Sequence, residues 1–308
     1  MSTAKITIGG KTISAILPYN SPSKNEEARG LFLKNRERIS ISGYQEKLSL
    51  IQDGDTLRLT EQGEQGTYIL KPIPSDLKWA KDAPANEHLT MQIAHHIYGI
   101  NTAENALVFF MDGLPAYITK RFDVRPDGKK WGVEDFASLA GKTRDEGNDF
   151  KYIYSYEEMG YLLQRFVPAW RIEIEKFFTL VIFNYIFSNG DAHLKNFSLM
   201  ETSSGDYILS PAYDLINTKI HIDDTDFALS KGLFADENEQ SHADKSDFIE
   251  LARRTGVTES RIEKLINPFL ETKKEVKEMI MSSQMSARNK KTYIELYIKK
   301  TKWFNQRF

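Results

Sequence analysis

Cysteine is absent from the 308 residues. That excludes disulfide frameworks, thiol nucleophiles and zinc–thiolate sites, and it is compatible with a reducing compartment. Histidine is scarce, six in all; His88, His95 and His96 form no metal set, since His88 and His95 could share a helix face but lack a third ligand. No long hydrophobic run occurs. The most apolar stretch, 177–187, is too short to span a bilayer and contains Asn184. The opening Met1-Ser2-Thr3-Ala4-Lys5 lacks the apolar core of a secretory signal. Excess charge is missing too: a formal net charge of −2 gives no general attraction to nucleic acid or to anionic membrane. A cytoplasmic protein without membrane contact is the expectation, with export by a specialised secretion route left open. Internal repeats and low-complexity tracts are also lacking.

What remains is ordinary globular composition, with 41% hydrophobic and 27% charged residues. The length suffices for one large domain or two lobes. Ile6 and Ile8, then Gly9-Gly10 and alternation from Thr12 to Ile16, predict a small hairpin. A short helix is expected around Glu27 to Lys34. Residues 40–47 read as strand, loop, strand, with hydroxyls and Gly43 at the tip, and the second strand runs on from Lys47 to Ile51 before an Asp53-Gly54 turn. Such a loop can cover phosphates through backbone N–H groups, though an ordinary hairpin with a polar tip reads the same way. Thr67 to Pro72 is a strand ending in Lys71, the kind of lysine that holds nucleotide phosphates and pairs with a helix glutamate. A helix is predicted from about Ala85 to Tyr98, closed by Gly99. Its Glu87 suits that pairing or, equally, the dipole of the first turn.

Residues 106–110 and 115–122 predict another hairpin, and its second strand leads into Lys120-Arg121-Phe122-Asp123. Up to that point strands dominate, and beyond Glu134 the pattern becomes helical. Two domains follow: a β-rich lobe over 1–122 and a mainly helical lobe over 123–308. A short helix at 134–140, a polar loop at 141–151 and helices at 156–166 and 171–188 are expected. The last is apolar almost all round and should be the buried axis of its lobe. Residues 197–200 and 206–209 predict a hairpin, and 245–303 a helical remainder with Thr258 as an N-cap and Pro268 as a break.

At the end of the buried helix the sequence reads Phe187-Ser-Asn-Gly-Asp-Ala-His-Leu-Lys-Asn-Phe197. Asp191 precedes Asn196 by the spacing of a kinase catalytic loop, in which the aspartate accepts a hydroxyl proton and the asparagine binds Mg²⁺. Asp214, placed at an expected strand end, supplies the further carboxylate that such a metal site needs. Any one of these is a common turn residue. Asp191, His193, Asn196 and Asp214 together, after a buried helix, are more specific.

Several separated motifs occur in one order: Ile39-Ser40-Ile41-Ser42-Gly43-Tyr44-Gln45-Glu46-Lys47, Ile69-Leu70-Lys71, Asn86-Glu87, Lys120-Arg121-Phe122-Asp123, Asn189 to Ser198, and Tyr213-Asp214. On these the chain resembles the HipA-type toxin kinases of bacteria over nearly its full length. Its Asp-x-His-x-x-Asn loop is also similar to that of the phosphatidylinositol 3- and 4-kinases. The resemblance implies an α+β, two-lobed protein-kinase-like fold of the HipA and phosphatidylinositol 3/4-kinase type. It implies a serine/threonine protein kinase of a toxin–antitoxin system, using ATP and Mg²⁺, whose relatives phosphorylate a glutamyl- or tryptophanyl-tRNA synthetase.

By position, the resemblance makes Asp191 the catalytic base, Asn196 and Asp214 the Mg²⁺ ligands, and Lys71 a phosphate holder. Ser42, Gly43, Tyr44, Gln45, Glu46 and Lys47 would line the nucleotide loop. Lys120, Arg121 and Phe122 would form the hinge, and His193, Leu194, Lys195, Asn196, Tyr213 and Asp214 the rest of the ATP site. Autophosphorylation would fall on Ser40 or Ser42. The implied partners are antitoxins, one of helix-turn-helix type, so that nucleic acid is met only through them. About thirty residues precede the nucleotide loop's region, which resembles the short, HipT-like form, whose antitoxin-contacting subdomain can be a separate HipS-like protein. The usual hinge glutamate is Lys120 here. Two rivals stand beside this reading: a lipid or small-molecule kinase on the same fold, and an inactive nucleotide-binding regulator.

Overall fold

The computed structural model describes residues 4–22, 46–75, 77–236 and 242–306. The expected helix at Glu27 to Lys34 and the tip of the nucleotide loop, Ser40 to Gln45, lie outside them. The chain forms two compact units, the first from Met1–Leu89, Ala103–Lys130 and Gln284–Ser286, the second from Thr90–Thr102, Trp131–Ser283 and Ala287–Phe308.

The first unit is a β-structure. Strands β1 (Lys5–Ile8) and β2 (Lys11–Ser14) form the expected hairpin. Gly9 and Gly10 turn it with φ of 64° and 69°, the paired left-handed conformation that matches the strands' twist. Strands β3 (Leu48–Asp53), β4 (Thr56–Leu59), β5 (Tyr68–Lys71), β6 (Asn105–Phe109) and β7 (Pro115–Lys120) make one antiparallel sheet in the order β4-β3-β5-β7-β6. Alternation sends Leu48, Leu50, Leu57, Leu70, Val108 and Ile118 into a common core, where each is 1% exposed or less. Strand β7 ends at Lys120, two residues short of the expected Phe122. Arg121 still donates its backbone N–H to Thr67, but its side chain folds onto Asp123.

Helix α1 (Ala83–Tyr98) starts two residues earlier than the pattern suggested, with Pro84 in its first turn where no N–H is needed. Glu87 therefore lies past the first turn, and the dipole role is displaced by an ion pair.

The second unit is mainly helical around a small sheet, β10 (Tyr207–Leu209), β9 (Ser198–Glu201) and β8 (Val133–Asp135). Strand β8 replaces the first residues of the helix expected from Glu134. Asp135 caps α2 (Phe136–Leu139) by accepting from the Ser138 N–H, so the helix cannot begin sooner, and the edge of β9 takes the preceding residues. Helix α3 (Tyr156–Phe166) has the expected limits, with Ser155 as its N-cap. Helix α4 (Trp170–Ile186) is buried at every position from Phe177 to Ile186 except Thr179. Helices α5 (Lys245–Arg254), α6 (Glu259–Ile266), α7 (Lys274–Ser282) and α8 (Ala287–Phe304) complete the unit. Thr258 stands at the N-cap position of α6 without a side-chain capping bond. Among the described residues no helix is long and apolar enough to cross a membrane.

Candidate active site

The loop of the second unit begins where α4 must stop. Ser188 takes a left-handed backbone, φ 53°, which turns the chain out of the helix. Asn189 is buried and donates its amide to Asn184 Oδ1 at 2.9 Å and to the Asp214 carbonyl at 3.4 Å, tying the helix end to the segment carrying Asp214. At Gly190 a side chain is excluded by contact. A Cβ would lie 2.4 Å from Asp224 Oδ2 and 2.7 Å from the Thr225 carbonyl. The Gly190 N–H donates to Thr218 Oγ1 at 2.9 Å, and the Thr218 N–H donates back to the Ser188 carbonyl.

Asp191 and Asn196 are positioned by the loop's own backbone. The Asp191 carbonyl accepts from the His193 N–H at 2.8 Å and from Asn196 Nδ2 at 2.8 Å. The Asn196 amide nitrogen is thereby committed, and its Oδ1, a hard oxygen of the kind Mg²⁺ prefers, is left available. The Asp191 side chain stays half exposed, at 48%. Leu194 is fully buried and anchors the turn of 194–196.

His193 is buried, and its Nδ1 accepts from the Lys195 N–H at 3.2 Å. Burial first, and the nearby Lys151 ammonium second, push its pKa down to about 3. It is therefore a neutral imidazole with its proton on Nε2, 3.7 Å from Asp191 Oδ1. Lys195 forms an ion pair with Asp135 at 2.8 Å. Tyr213 places its hydroxyl between Ser198 Oγ at 2.6 Å and the Lys195 carbonyl at 3.0 Å.

Asp214 is not on a strand end. It follows an isolated bridge between Ala212 and Thr102, and its φ is 57°. Aspartate tolerates this left-handed conformation better than most residues. Together with Ser188 it makes two non-glycine residues of positive φ joined through Asn189, the kind of local strain that surrounding structure must hold in place.

The first unit carries its own polar constellation. Lys71 Nζ meets Glu87 Oε1 at 2.5 Å with side chains only 4% and 3% exposed, and the Tyr117 ring lies 5.4 Å from the ammonium. A pair buried this deeply gains little net stability, because dehydration of both ions offsets their attraction. Glu46 and Lys47, the described part of the expected nucleotide loop, are half-buried before β3. Lys120 lies near Glu104, 3.7 Å from Nζ to carboxylate.

The sequence reading missed three residues. Tyr152 donates its hydroxyl to Asp191 Oδ1 at 2.9 Å. Thr218 laces the loop to the next segment and donates to Asp224. Asp224 itself packs against Gly190, and burial, with Asp191's charge contributing, raises its pKa. The only sequence sign of Asp224 is the polar run Asp223-Asp224-Thr225-Asp226 downstream of Asp214, and Thr218 has none. Among the described residues no group of three or more histidines or carboxylates could hold a metal, so a metal would depend on amide oxygen as well as carboxylate.

A protein of Haemophilus influenzae named "Putative kinase" is 27% identical over 82% of this chain and 78% of its own length. "Putative kinase Y4dM" of Sinorhizobium fredii is 29% identical over 82% of this chain, but the match takes in only 63% of that protein. Among solved structures, HipA of Shewanella oneidensis, determined with HipB and operator DNA, superposes with a TM-score of 0.64 at 21% identity, over 85% of this chain and 63% of HipA. The Helicobacter pylori proinflammatory kinase CtkA gives 0.53 at 15% identity, over 81% of this chain and 90% of CtkA. The α+β fold is thus the one that HipA and CtkA share. The family model described as the HipA-like C-terminal domain matches residues 39–279, more than half of the sequence, and the chain belongs to that family.

Proposed function

We propose that this protein transfers the γ-phosphoryl group of ATP to a serine or threonine hydroxyl of another protein, as the toxin of a bacterial toxin–antitoxin system. The observation that carries the reading is the 191–196 loop. Its backbone fixes one half-exposed carboxylate and one amide at the required spacing, and commits the amide nitrogen so that oxygen remains for a cation. Asp191 takes the acceptor's proton. Asn196 and Asp214 would hold Mg²⁺, which supplies charge neutralisation at the phosphate oxygens. In the first unit the buried Glu87 holds Lys71 ready for phosphate. Catalysis is then chiefly positioning and electrostatics.

Family membership and the relatives named as kinases support this reading. The antitoxin partners, the short HipT-like organisation, an aminoacyl-tRNA synthetase as substrate, and self-phosphorylation at Ser40 or Ser42 belong to the same proposal. A phosphate on that loop adds up to about two negative charges beside a polyanionic nucleotide and should switch the kinase off. The test is incubation with Mg²⁺, isotopically labelled ATP and a bacterial lysate, followed by phosphosite mapping by mass spectrometry, with Asp191→Asn as control. Label on serine of a synthetase and on Ser40 or Ser42, absent from the control, is expected. Label in lipid or small molecules, or no transfer at all, would refute the protein-kinase reading.

A further inference from the structure

We propose that Tyr152 is a positioning residue for phosphoryl transfer, holding the Asp191 carboxylate in the orientation from which it takes the acceptor hydroxyl's proton. The inference rests on Asp191 being the base, and it adds a residue that lies 39 positions upstream, in a polar segment with no motif of its own.

Three observations carry it. The Tyr152 hydroxyl donates to Asp191 Oδ1 at 2.9 Å. The same oxygen lies 3.7 Å from Nε2 of the neutral His193, beyond hydrogen-bond distance, so the imidazole packs against the carboxylate and the phenol supplies the hydrogen bond. The segment itself is stitched to the catalytic loop. The Leu194 N–H donates to the Lys151 carbonyl at 3.2 Å, the Ser230 N–H donates to the Tyr152 carbonyl at 2.8 Å, and the Tyr152 N–H returns to Asp149 at 2.9 Å. Packing also fixes the ring, edge-on to His193 with centroids 5.1 Å apart and beneath the Lys151 ammonium at 4.8 Å. Burial, aided by the charge of Asp191, raises the phenol's pKa, so it remains a donor at neutral pH.

A half-exposed carboxylate without such restraint rotates freely and presents either oxygen. Restrained, it meets the acceptor in one orientation. The acceptor oxygen bonds to the γ-phosphorus, the bond from that phosphorus to the β,γ-bridging oxygen breaks to leave ADP, and the hydroxyl proton ends on the Asp191 carboxylate. Orientation of this kind acts on the chemical step and leaves nucleotide binding alone.

The experiment is steady-state kinetics of Tyr152→Phe beside wild type and Asp191→Asn, using autophosphorylation and any phosphorylated lysate protein as readouts. Phenylalanine keeps the ring contacts, so the thermal midpoint should not move. A fall in kcat of about tenfold with KM for ATP within about twofold is expected, as for removal of one hydrogen bond to a charged group. An unchanged kcat would overturn the inference, and so would a loss confined to KM. A rise in kcat would also overturn it, because the hydroxyl would then be competing with the acceptor for the base. If Asp191→Asn is inactive while Tyr152→Phe is fully active, only the positioning role falls. If Asp191→Asn remains active, the base assignment falls with it.

Discussion

Asp226 allows a quantitative test of how the second unit is held together. Its carboxylate receives Lys300 Nζ at 2.6 Å, Lys219 Nζ at 2.5 Å and His242 Nδ1 at 2.7 Å, and the Asp226 and Lys300 side chains are each 2% exposed. Lys300 reaches it from α8 and lies 3.8 Å over the Tyr185 ring of α4. Burial opposes ionisation of Asp226, but the Lys300 charge and the hydrogen bonds from Lys219 and His242 outweigh it and hold the carboxyl at about 2. Burial also lowers Lys300, to about 8, against the pull of Asp226. At 2.6 Å and an effective dielectric of about 20, one such pair attracts by about 6 kcal/mol, and most of that offsets the dehydration of both ions.

Asp226→Asn removes the attraction and keeps the dehydration, so it should destabilise by about 3–5 kcal/mol at pH 7, or on the order of 10 °C in melting midpoint. Lys300→Met should cost less, because Lys219 and His242 still face the carboxylate. The sign with pH is fixed by the two shifts. Lys300 titrates in the folded state below its ordinary 10.5, so its burial penalty is present at pH 7 and is relieved as pH rises through about 8. The gap between wild type and Asp226→Asn should therefore narrow by pH 9.5. Asp226, depressed below 3.8, contributes stability above that pH, which is lost as pH falls towards 2. Urea and thermal unfolding followed by circular dichroism at pH 7 and 9.5 is the assay. Equal stability of Asp226→Asn and wild type at pH 7, or a gap that ignores pH, would refute the reasoning.

Two further outcomes concern the site. Gly190→Ala should disable transfer while leaving the helices intact, because its Cβ would press on Asp224 and on the Thr225 backbone. Overpacking of this kind costs about 1–3 kcal/mol, and full activity with an unchanged melt would show that the loop yields. Asp214→Asn should weaken Mg²⁺-dependent nucleotide binding more than Mg²⁺-free binding. Titration of ATP with and without the cation checks it, and an unaltered Mg²⁺ dependence would remove Asp214 from the metal site.

Elements with a clean period were legible in the sequence. Tyr156–Phe166 is delimited by its own cap and stripe, α4 by an apolar run too long for a strand, and β5 by alternation ending at Lys71-Pro72. The loop of 187–197 stood out by the spacing of Asp191 and Asn196, which the Asp191 carbonyl joins in the folded chain. Strand β8 was not, since three residues that pair only because β9 offers an edge leave no periodic trace. The left-handed backbone of Asp214 was hidden for a similar reason, because it depends on Asn189 and the Ala212 bridge rather than on its neighbours. Tyr152 and Asp224 were invisible as site residues because a long-range contact writes nothing into local sequence.

The burial of α4 beyond Lys176 gives the 187–197 loop two unequal anchors. From Phe177 to Ile186 every residue but Thr179 is buried, so exchange of these amides should require unfolding of the unit as a whole. On the far side, residues 217–236 contain one short helical turn and otherwise irregular backbone, held by side-chain bonds such as those of Thr218 and Asp226 rather than by a repeating backbone ladder. Exchange across the 187–197 loop should therefore be slowest at its helical end and faster on the Thr218–Asp224 flank.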